Sequence, residues 1–144
     1  MDSDQILARL RQFLLIIAAG IFVMTVTELF FLNHWQVTIQ FLPFGLSALG
    51  LITLAFAYFR PTYKTITTTR WSMFFIAACS LIGFYEHMAN NYSFWLEIKP
   101  SATTWDLIKA TFEGANPVLA PGILMLGAVI ALMAIYKHPL LKTK

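Results

Sequence analysis

Charged residues are scarce in this sequence, and the scarcity is the first constraint on its class. Lys, Arg, Asp and Glu supply 12% of the residues, whereas soluble domains carry about 25%. This is too little charge to cover a surface that faces water, and 58% of the residues are hydrophobic. The composition therefore predicts an integral membrane protein surrounded by the lipid bilayer. We attribute the net charge of +3 to basic residues that set the orientation in the membrane, and we expect no nucleic-acid partner.

Cysteine pairs and common catalytic motifs are also missing. The single Cys79 excludes an intramolecular disulfide and a metal site built from several cysteines. The sequence has no glycine-rich phosphate loop and no nucleophile elbow, so nucleotide and acyl-transfer chemistry have no support. We therefore expect a protein that is not an enzyme.

The sequence does contain four apolar segments of the length that crosses a bilayer, about 20 residues. They cover residues 13–32, 40–59, 71–90 and 118–136. These segments predict an all-α integral membrane fold, a four-transmembrane-helix bundle that forms one domain over residues 1–144. The connections between the segments are then 33–39, 60–70 and 91–117.

Basic residues are divided unequally between the two sides of this bundle. Two of the ten, Lys99 and Lys109, fall in the 91–117 connection. The others lie on the opposite side and are Arg9, Arg11, Arg60, Lys64, Arg70, Lys137, Lys142 and Lys144. Because Lys and Arg in short loops mark the cytoplasmic side, the division predicts cytoplasmic N- and C-termini. The 33–39 and 91–117 connections then lie outside.

The 91–117 connection is long enough to contain structure of its own. Thr103 and Asp106 have the spacing of a capping box, and apolar side chains follow at helical spacing. The pattern predicts a short interfacial helix over residues 104–113 that lies on the outer membrane surface.

Two pairs of segments resemble each other at fixed offsets. Segments two and four align at an offset of 78 residues, and segments one and three align at an offset of 58. The paired residues include Pro43 with Pro121, Leu46 with Leu124, Glu28 with Glu86 and Asn33 with Asn91. One interpretation is a duplicated helical hairpin, whose copies are related by an axis along the membrane normal. The other is chance similarity between apolar sequences that share a small alphabet.

Acidic residues occur inside two of the segments at matching depth. Glu28 and Glu86 each lie about 6 Å below the outer end of their segment, at 1.5 Å per residue. Both are then near helix C-termini, where the macrodipole disfavours an anion. The expected partners are His34, His87 and the first turns of segments two and four. Three asparagines fall at the same level and complete the predicted cluster, Asn33, Asn90 and Asn91.

This polar cluster has several interpretations. As a hydrogen-bonded clasp it fixes helix packing and needs no ligand. The carboxylates of Glu28 and Glu86 and the imidazoles of His34 and His87 also suit a divalent metal such as zinc, iron or manganese. A haem held by the two histidines and a path for protons or small solutes are further alternatives. The identity of any cofactor is left open among them.

Several short stretches carry a likeness to other membrane proteins. They are Leu42-Pro43-Phe44, Gly83-x-x-x-His87-x-x-x-Asn91-x-x-Phe94, Gly114-Ala-Asn-Pro117-x-Leu119-Ala-Pro-Gly122 and His138-Pro139. Over most of its length the chain resembles a group of small bacterial four-helix membrane proteins that have no assigned function. The resemblance implies a multi-pass protein of the bacterial inner membrane, and it implies no activity.

We therefore expect a non-enzymatic membrane protein, either a homo-oligomer or an accessory subunit of a larger membrane complex. Its outer face is expected to carry a polar pocket formed by Glu28, His34, Glu86, His87 and Asn91. One alternative is a redox protein that binds metal or haem at these residues. Another is a transporter of protons or a small solute that acts as an oligomer.

Overall fold

A computed structural model describes residues 2–141, and within them every regular element is a helix. The five α-helices are α1 (Ser3–Phe31), α2 (Leu42–Phe59), α3 (Tyr63–Ile98), α4 (Thr104–Glu113) and α5 (Ala120–Ile135). Short 3-10 turns cover Thr38–Phe41 and Pro139–Leu141. Three helices are long and apolar enough to cross a membrane, α1, α3 and α2 with the turn before it. The sequence-based expectation of an all-helical chain is confirmed.

The third helix is much longer than its apolar segment. It has 36 residues, which span about 54 Å, so the prediction of a loop over 60–70 is wrong from Tyr63 onward. Thr62 starts the helix, because its hydroxyl accepts a hydrogen bond from the Thr65 backbone N–H at 3.1 Å. Hydropathy marked where the apolar residues begin, whereas the cap decides where the helix begins.

The first helix also begins before its apolar segment, at Ser3 rather than at residue 13, whereas the ends of α2 and α5 lie within two residues of the predicted ones. α5 starts two residues later than the fourth segment and ends one earlier; its 16 residues span about 24 Å. The helix over 104–113 is confirmed at both ends. The Thr103 hydroxyl accepts from the Asp106 N–H at 3.2 Å, and the Asp106 carboxylate accepts from the Thr103 N–H at 3.1 Å.

Four of the helices pack side by side in a ring, in the order α1, α2, α3, α5 and back to α1. α4 packs against α3 outside the ring. At one end of the ring α1 and α3 begin, and we call this the basic end because Arg9, Arg11 and Lys64 lie there. At the other, which we call the polar end, α1 finishes and α2 and α5 begin. Two further cations used in the topology prediction, Lys142 and Lys144, lie outside the described residues.

Close packing separates the two ends. Phe22 of α1 is fully buried, and its ring lies so close to Gly50 of α2 that an added Cβ would be 2.9 Å from it. Gly127 of α5 is similarly close to Ile21 and Phe22. Below this level, towards the basic end, the Thr69 hydroxyl donates to the Thr53 carbonyl at 2.9 Å and joins α3 to α2.

When the paired helices are aligned at the offsets found in the sequence, many of their buried positions match. At an offset of 58, three buried positions of α1 fall on buried positions of α3, and at 78 four of α2 fall on four of α5. The pairs are Leu15 with Met73, Ala18 with Ile76, Phe22 with Ser80, Leu46 with Leu124, Gly50 with Ala128, Thr53 with Ala131, and Ala57 with Ile135. Both hairpins therefore present equivalent positions to the bundle interior.

The outside of the bundle is strongly apolar. Phe31, Phe59 and Leu119 are each more than three-quarters exposed, and large hydrophobic side chains are exposed on every long helix. Soluble monomers rarely expose contiguous apolar surface on this scale. Such a surface is compatible with contact with lipid.

Candidate functional site

A cavity of about 290 Å³ opens at the polar end of the bundle. Its walls come from the last turns of α1, the middle of α3 and the first turns of α2 and α5. The lining stops short of the level at which Phe22 packs against Gly50 and Gly127, since none of these three residues lines the cavity. Most of the lining is apolar, with a few polar side chains among it, as is usual for sites that bind small molecules.

The cavity brings together most of the predicted polar cluster. Glu28, His34, Glu86, His87 and Asn90 all line it. The two remaining asparagines are absent from the lining. Asn33 is exposed in the turn after α1 and adopts a left-handed backbone conformation, with φ 51°, which asparagine tolerates better than most residues.

The last asparagine of the cluster, Asn91, instead connects α3 to the segment between α4 and α5. It is 1% exposed, and its amide donates to the carbonyls of Thr111 at 3.1 Å and Asn116 at 2.9 Å. Its side-chain oxygen accepts from the Asn116 backbone N–H at 2.9 Å. Gly114 permits this contact, because a Cβ there would overlap the Asn91 side chain. The prediction that Asn91 forms part of the pocket is wrong, and its role is structural.

The electrostatic setting of the two acidic residues differs more than the sequence suggested. Glu28 lies in the last turn of α1, as predicted. α3 continues for twelve residues beyond Glu86, about 18 Å, and the effect of a helix terminus fades within one turn. The prediction that Glu86 lies near a helix C-terminus is therefore wrong. The first-turn positions of Pro43 in α2 and Pro121 in α5 are confirmed, and both prolines line the cavity.

The histidines of the cavity are close to each other and lack hydrogen-bond partners. Burial lowers the pKa of His34 below its ordinary value of 6.5, and the neighbouring His87 lowers it further. The Nδ1 atom of His87 is buried and has no partner. Buried polar atoms without a partner are uncommon in proteins, so this nitrogen has unused capacity for a ligand or a water molecule.

Within residues 2–141, no ion pair and no hydrogen bond joins the polar side chains of the cavity to each other. The predicted hydrogen-bonded clasp is therefore not formed by these groups. The same residues contain no group of three His, Cys, Asp or Glu side chains close enough to hold a metal ion. The geometry gives the metal interpretation no support, and the haem interpretation stays a prediction.

The lining follows the repeat. Three residues of α1 and Leu32 just after it line the cavity, and each of their equivalents in α3, 58 residues later, also lines it. Four positions in or before α2 have lining equivalents 78 residues later. The pairs are Thr25 with Gly83, Glu28 with Glu86, Leu29 with His87, Leu32 with Asn90, Ile39 with Pro117, Leu42 with Ala120, Pro43 with Pro121, and Leu46 with Leu124. The cavity thus lies between equivalent surfaces of the two hairpins.

Sequence reasoning missed part of the lining. Cys79 is partly buried against the core, and it also lines the cavity together with Ser80, Gln40 and Asn116. The offset of 58 was a usable signal for α3, because it carries the turn of Glu28 onto the turn of Glu86. No comparable signal marks Gln40 or Asn116, which lie in connections whose path depends on tertiary contacts.

Comparison of the chain with protein-family models, with curated proteins and with solved structures finds no match in any of the three.

Proposed function

We propose that the chain is a four-span membrane protein that binds a small ligand from the outer side, in the cavity between its two hairpins. Its role would be that of a non-enzymatic binding or accessory subunit in the bacterial inner membrane. The observation that carries this proposal is the lining of one cavity by eight equivalent pairs of positions. In transporters built from internal repeats, the substrate site likewise lies at the interface of the repeats.

The proposed orientation rests on charge and length. The basic end holds most of the Lys and Arg residues, which favours the cytoplasm. α3 exceeds the hydrocarbon thickness of about 30 Å, so its ends extend past the bilayer, with Lys64 on the inner side and Glu97 on the outer side. α5 is shorter than a usual span, which local thinning of the bilayer accommodates at modest cost. The matching faces of the hairpins favour duplication over chance.

The orientation can be tested with introduced cysteines in a Cys79→Ser background. Ser101→Cys, in the exposed turn before α4, should react with a membrane-impermeant maleimide added to intact cells. Thr68→Cys, exposed near the start of α3, should react only after the membrane is opened. The reverse pattern would overturn the proposed topology.

The binding role can be tested by native mass spectrometry of protein extracted from its own membranes. We expect wild-type protein to carry a small-molecule adduct. Cys79→Phe should lose it, because the new side chain fills the cavity, while Ala78→Phe on the exposed neighbouring face should keep it. Wild-type protein without any adduct, or equal loss in both variants, would contradict a ligand site here.

The transport alternative gains no support from the geometry. Phe22 and the two glycines it packs against lie closer to the basic end than the cavity lining does, and they line none of it. Core residues beyond that level are buried and closely packed. A cavity open at one end fits binding better than passage.

A further inference from the structure

A second depression lies beside the cavity on the outside of the bundle. This open groove of about 710 Å³ is lined by Gly45, Leu49 and Phe75 among others, and nearly all of its lining is apolar. Three residues line both the groove and the cavity, Ile39, Leu42 and Leu46. In the proposed orientation the groove faces lipid near the outer surface. A ligand could therefore occupy both spaces at once.

The charges in the cavity favour a cation over an anion. Glu28 and Glu86 line it, whereas no Lys or Arg of the described residues does. No ion pair within those residues neutralises either carboxylate. The exposed Glu28 and the partly buried Glu86 thus give the cavity an acidic character that suits a bound cation.

The helix N-termini at the cavity offer little to an anion, although helix N-termini commonly bind anions. Pro43 and Pro121 have no backbone N–H. The N–H groups of Ala120 and Gly122 donate to the carbonyls of Pro117 and Leu119 at 3.1 and 2.9 Å. The Leu42 N–H is likewise taken by the Ile39 carbonyl. Several of the donors that would recognise a phosphate or carboxylate are thus absent or already bonded.

We propose that the site binds a long-chain organic cation, with its ammonium headgroup beside Glu28 and Glu86 and its hydrocarbon chain in the groove along Gly45 and Phe75. This inference rests on the proposed binding function and names the class of ligand. His34 favours its neutral form at neutral pH, because burial and His87 lower its pKa, and so it leaves the negative charge of the carboxylates uncompensated. Entry from the bilayer through the groove suits a ligand that partitions into membranes.

Cys79 provides a native probe of occupancy, since it lines the cavity and is the only cysteine. Protein in lipid nanodiscs would be reacted with a maleimide in the presence of tetradecyltrimethylammonium, tetramethylammonium or tetradecyl sulfate. We expect the long-chain cation to slow the reaction at the lowest concentration and the anion to have no effect. Glu28→Gln combined with Glu86→Gln should raise the protective concentration roughly tenfold or more, because the quaternary ammonium loses its electrostatic attraction to the two carboxylates.

The groove is tested by Gly45→Leu. An added Cβ at Gly45 meets no atom within 4 Å, so the leucine side chain enters the groove without disturbing the bundle. Gly20→Leu is the matched control, because Gly20 is also helical, exposed and free of neighbours. Gly45→Leu should weaken protection by tetradecyltrimethylammonium several-fold and leave tetramethylammonium unchanged. Partition of the ligand into lipid is equal in both variants and cannot mimic this difference.

The outcomes separate the two proposals. Equal protection by the sulfate and the ammonium amphiphile would overturn the preference for a cation. No effect of Gly45→Leu would overturn the role of the groove. Ready labelling of Cys79 with no protection by any probe would refute the ligand class but not the open cavity. If Cys79 never reacts in the folded protein, both the cavity and the two proposals that rest on it are refuted.

Discussion

The two ends of the bundle are built from equivalent helices but satisfy their polar groups differently. Towards the basic end, the hydroxyl of Thr69 bonds two carbonyls, and Arg11 donates to the Lys137 carbonyl at 3.4 Å. One buried hydroxyl at this end, that of Thr67, lacks a partner among the described residues. At the polar end, an imidazole nitrogen of His87 is buried without a partner, and no ion pair among residues 2–141 involves Glu28 or Glu86. Packing accounts for the first arrangement, whereas the second leaves groups that a ligand would satisfy.

Among the variants that test this comparison, Phe22→Ala is expected to have the largest effect on stability, because it removes the close packing between the two ends. We expect a loss of about 3 kcal/mol in the free energy of unfolding, the lower part of the range for buried Phe→Ala. The lower part applies because, in the proposed membrane location, the unfolded side chain faces lipid rather than water. Met24→Ala, at a position 71% exposed, should change the value little. Unfolding in mixed micelles by titrated denaturing detergent measures both, and equal losses would contradict the packing described for Phe22.

Asn90 and Asn91 provide the next comparison, between a cavity residue and its structural neighbour. Asn91→Ala should cost about 1–3 kcal/mol, because it leaves buried carbonyl and N–H groups without partners. Asn90→Ala should cost less than about 0.5 kcal/mol, as for ordinary exposed positions. The same unfolding assay measures the difference. A larger effect at Asn90 would show that the two side chains have been assigned the wrong roles.

A double-mutant cycle sharpens the assignment of Asn91. Gly114→Ala should destabilise the wild-type protein by about 1–3 kcal/mol, since its methyl group would overlap the Asn91 side chain and overpacking costs this much. In an Asn91→Ala background the same change should cost clearly less, because the overlap is gone. Additive costs would mean that Gly114 serves some other purpose.

The smallest expected effect is a dependence of stability on pH from His34 at the polar end and His138 at the basic end. Burial lowers the pKa of both below 6.5, with further contributions from His87 and Arg11 respectively. The unfolded chain therefore takes up protons first as the pH falls below the ordinary histidine value, and the folded state loses stability. The charged or titratable groups around His34 are Glu28, Glu86 and His87.

Unfolding midpoints measured between pH 8 and pH 5 should fall as the pH falls. His34→Gln and His138→Gln should each reduce the slope, and the double variant should reduce it further. A slope that is the same in all variants would show that neither histidine is responsible. A midpoint that rises at low pH would contradict the direction of both pKa shifts.

Local chemistry and hydropathy predicted much of the fold. The bounds of α4 follow from the reciprocal bonds of Thr103 and Asp106, which lie within four residues of each other. The ends of α3 were missed because they depend on the Thr62 cap and on helical residues outside the apolar segment. In the stretches of average hydropathy on either side of an apolar segment, the sequence does not show whether the helix continues or stops.

The depth of a residue along its helix predicted the site better than the direction in which its side chain points around the helix axis. Glu28, Glu86, His34 and His87 were brought together by counting residues from the membrane surface. Adjacent residues on a helix point about 100° apart, so Asn90 faces the cavity while Asn91 faces the connection after α4. That distinction requires the positions of neighbouring helices.

The central claim, an open cavity at the polar end above a closely packed basic end, is tested most directly by thiol accessibility in intact cells. The probes are native Cys79, which lines the cavity, and Ala57→Cys in a Cys79→Ser background, at a position 3% exposed in the packed half. We predict that a membrane-impermeant maleimide labels Cys79 from outside and labels position 57 only after unfolding. Equal labelling of the two positions, or no labelling of Cys79 in the folded protein, would contradict the account.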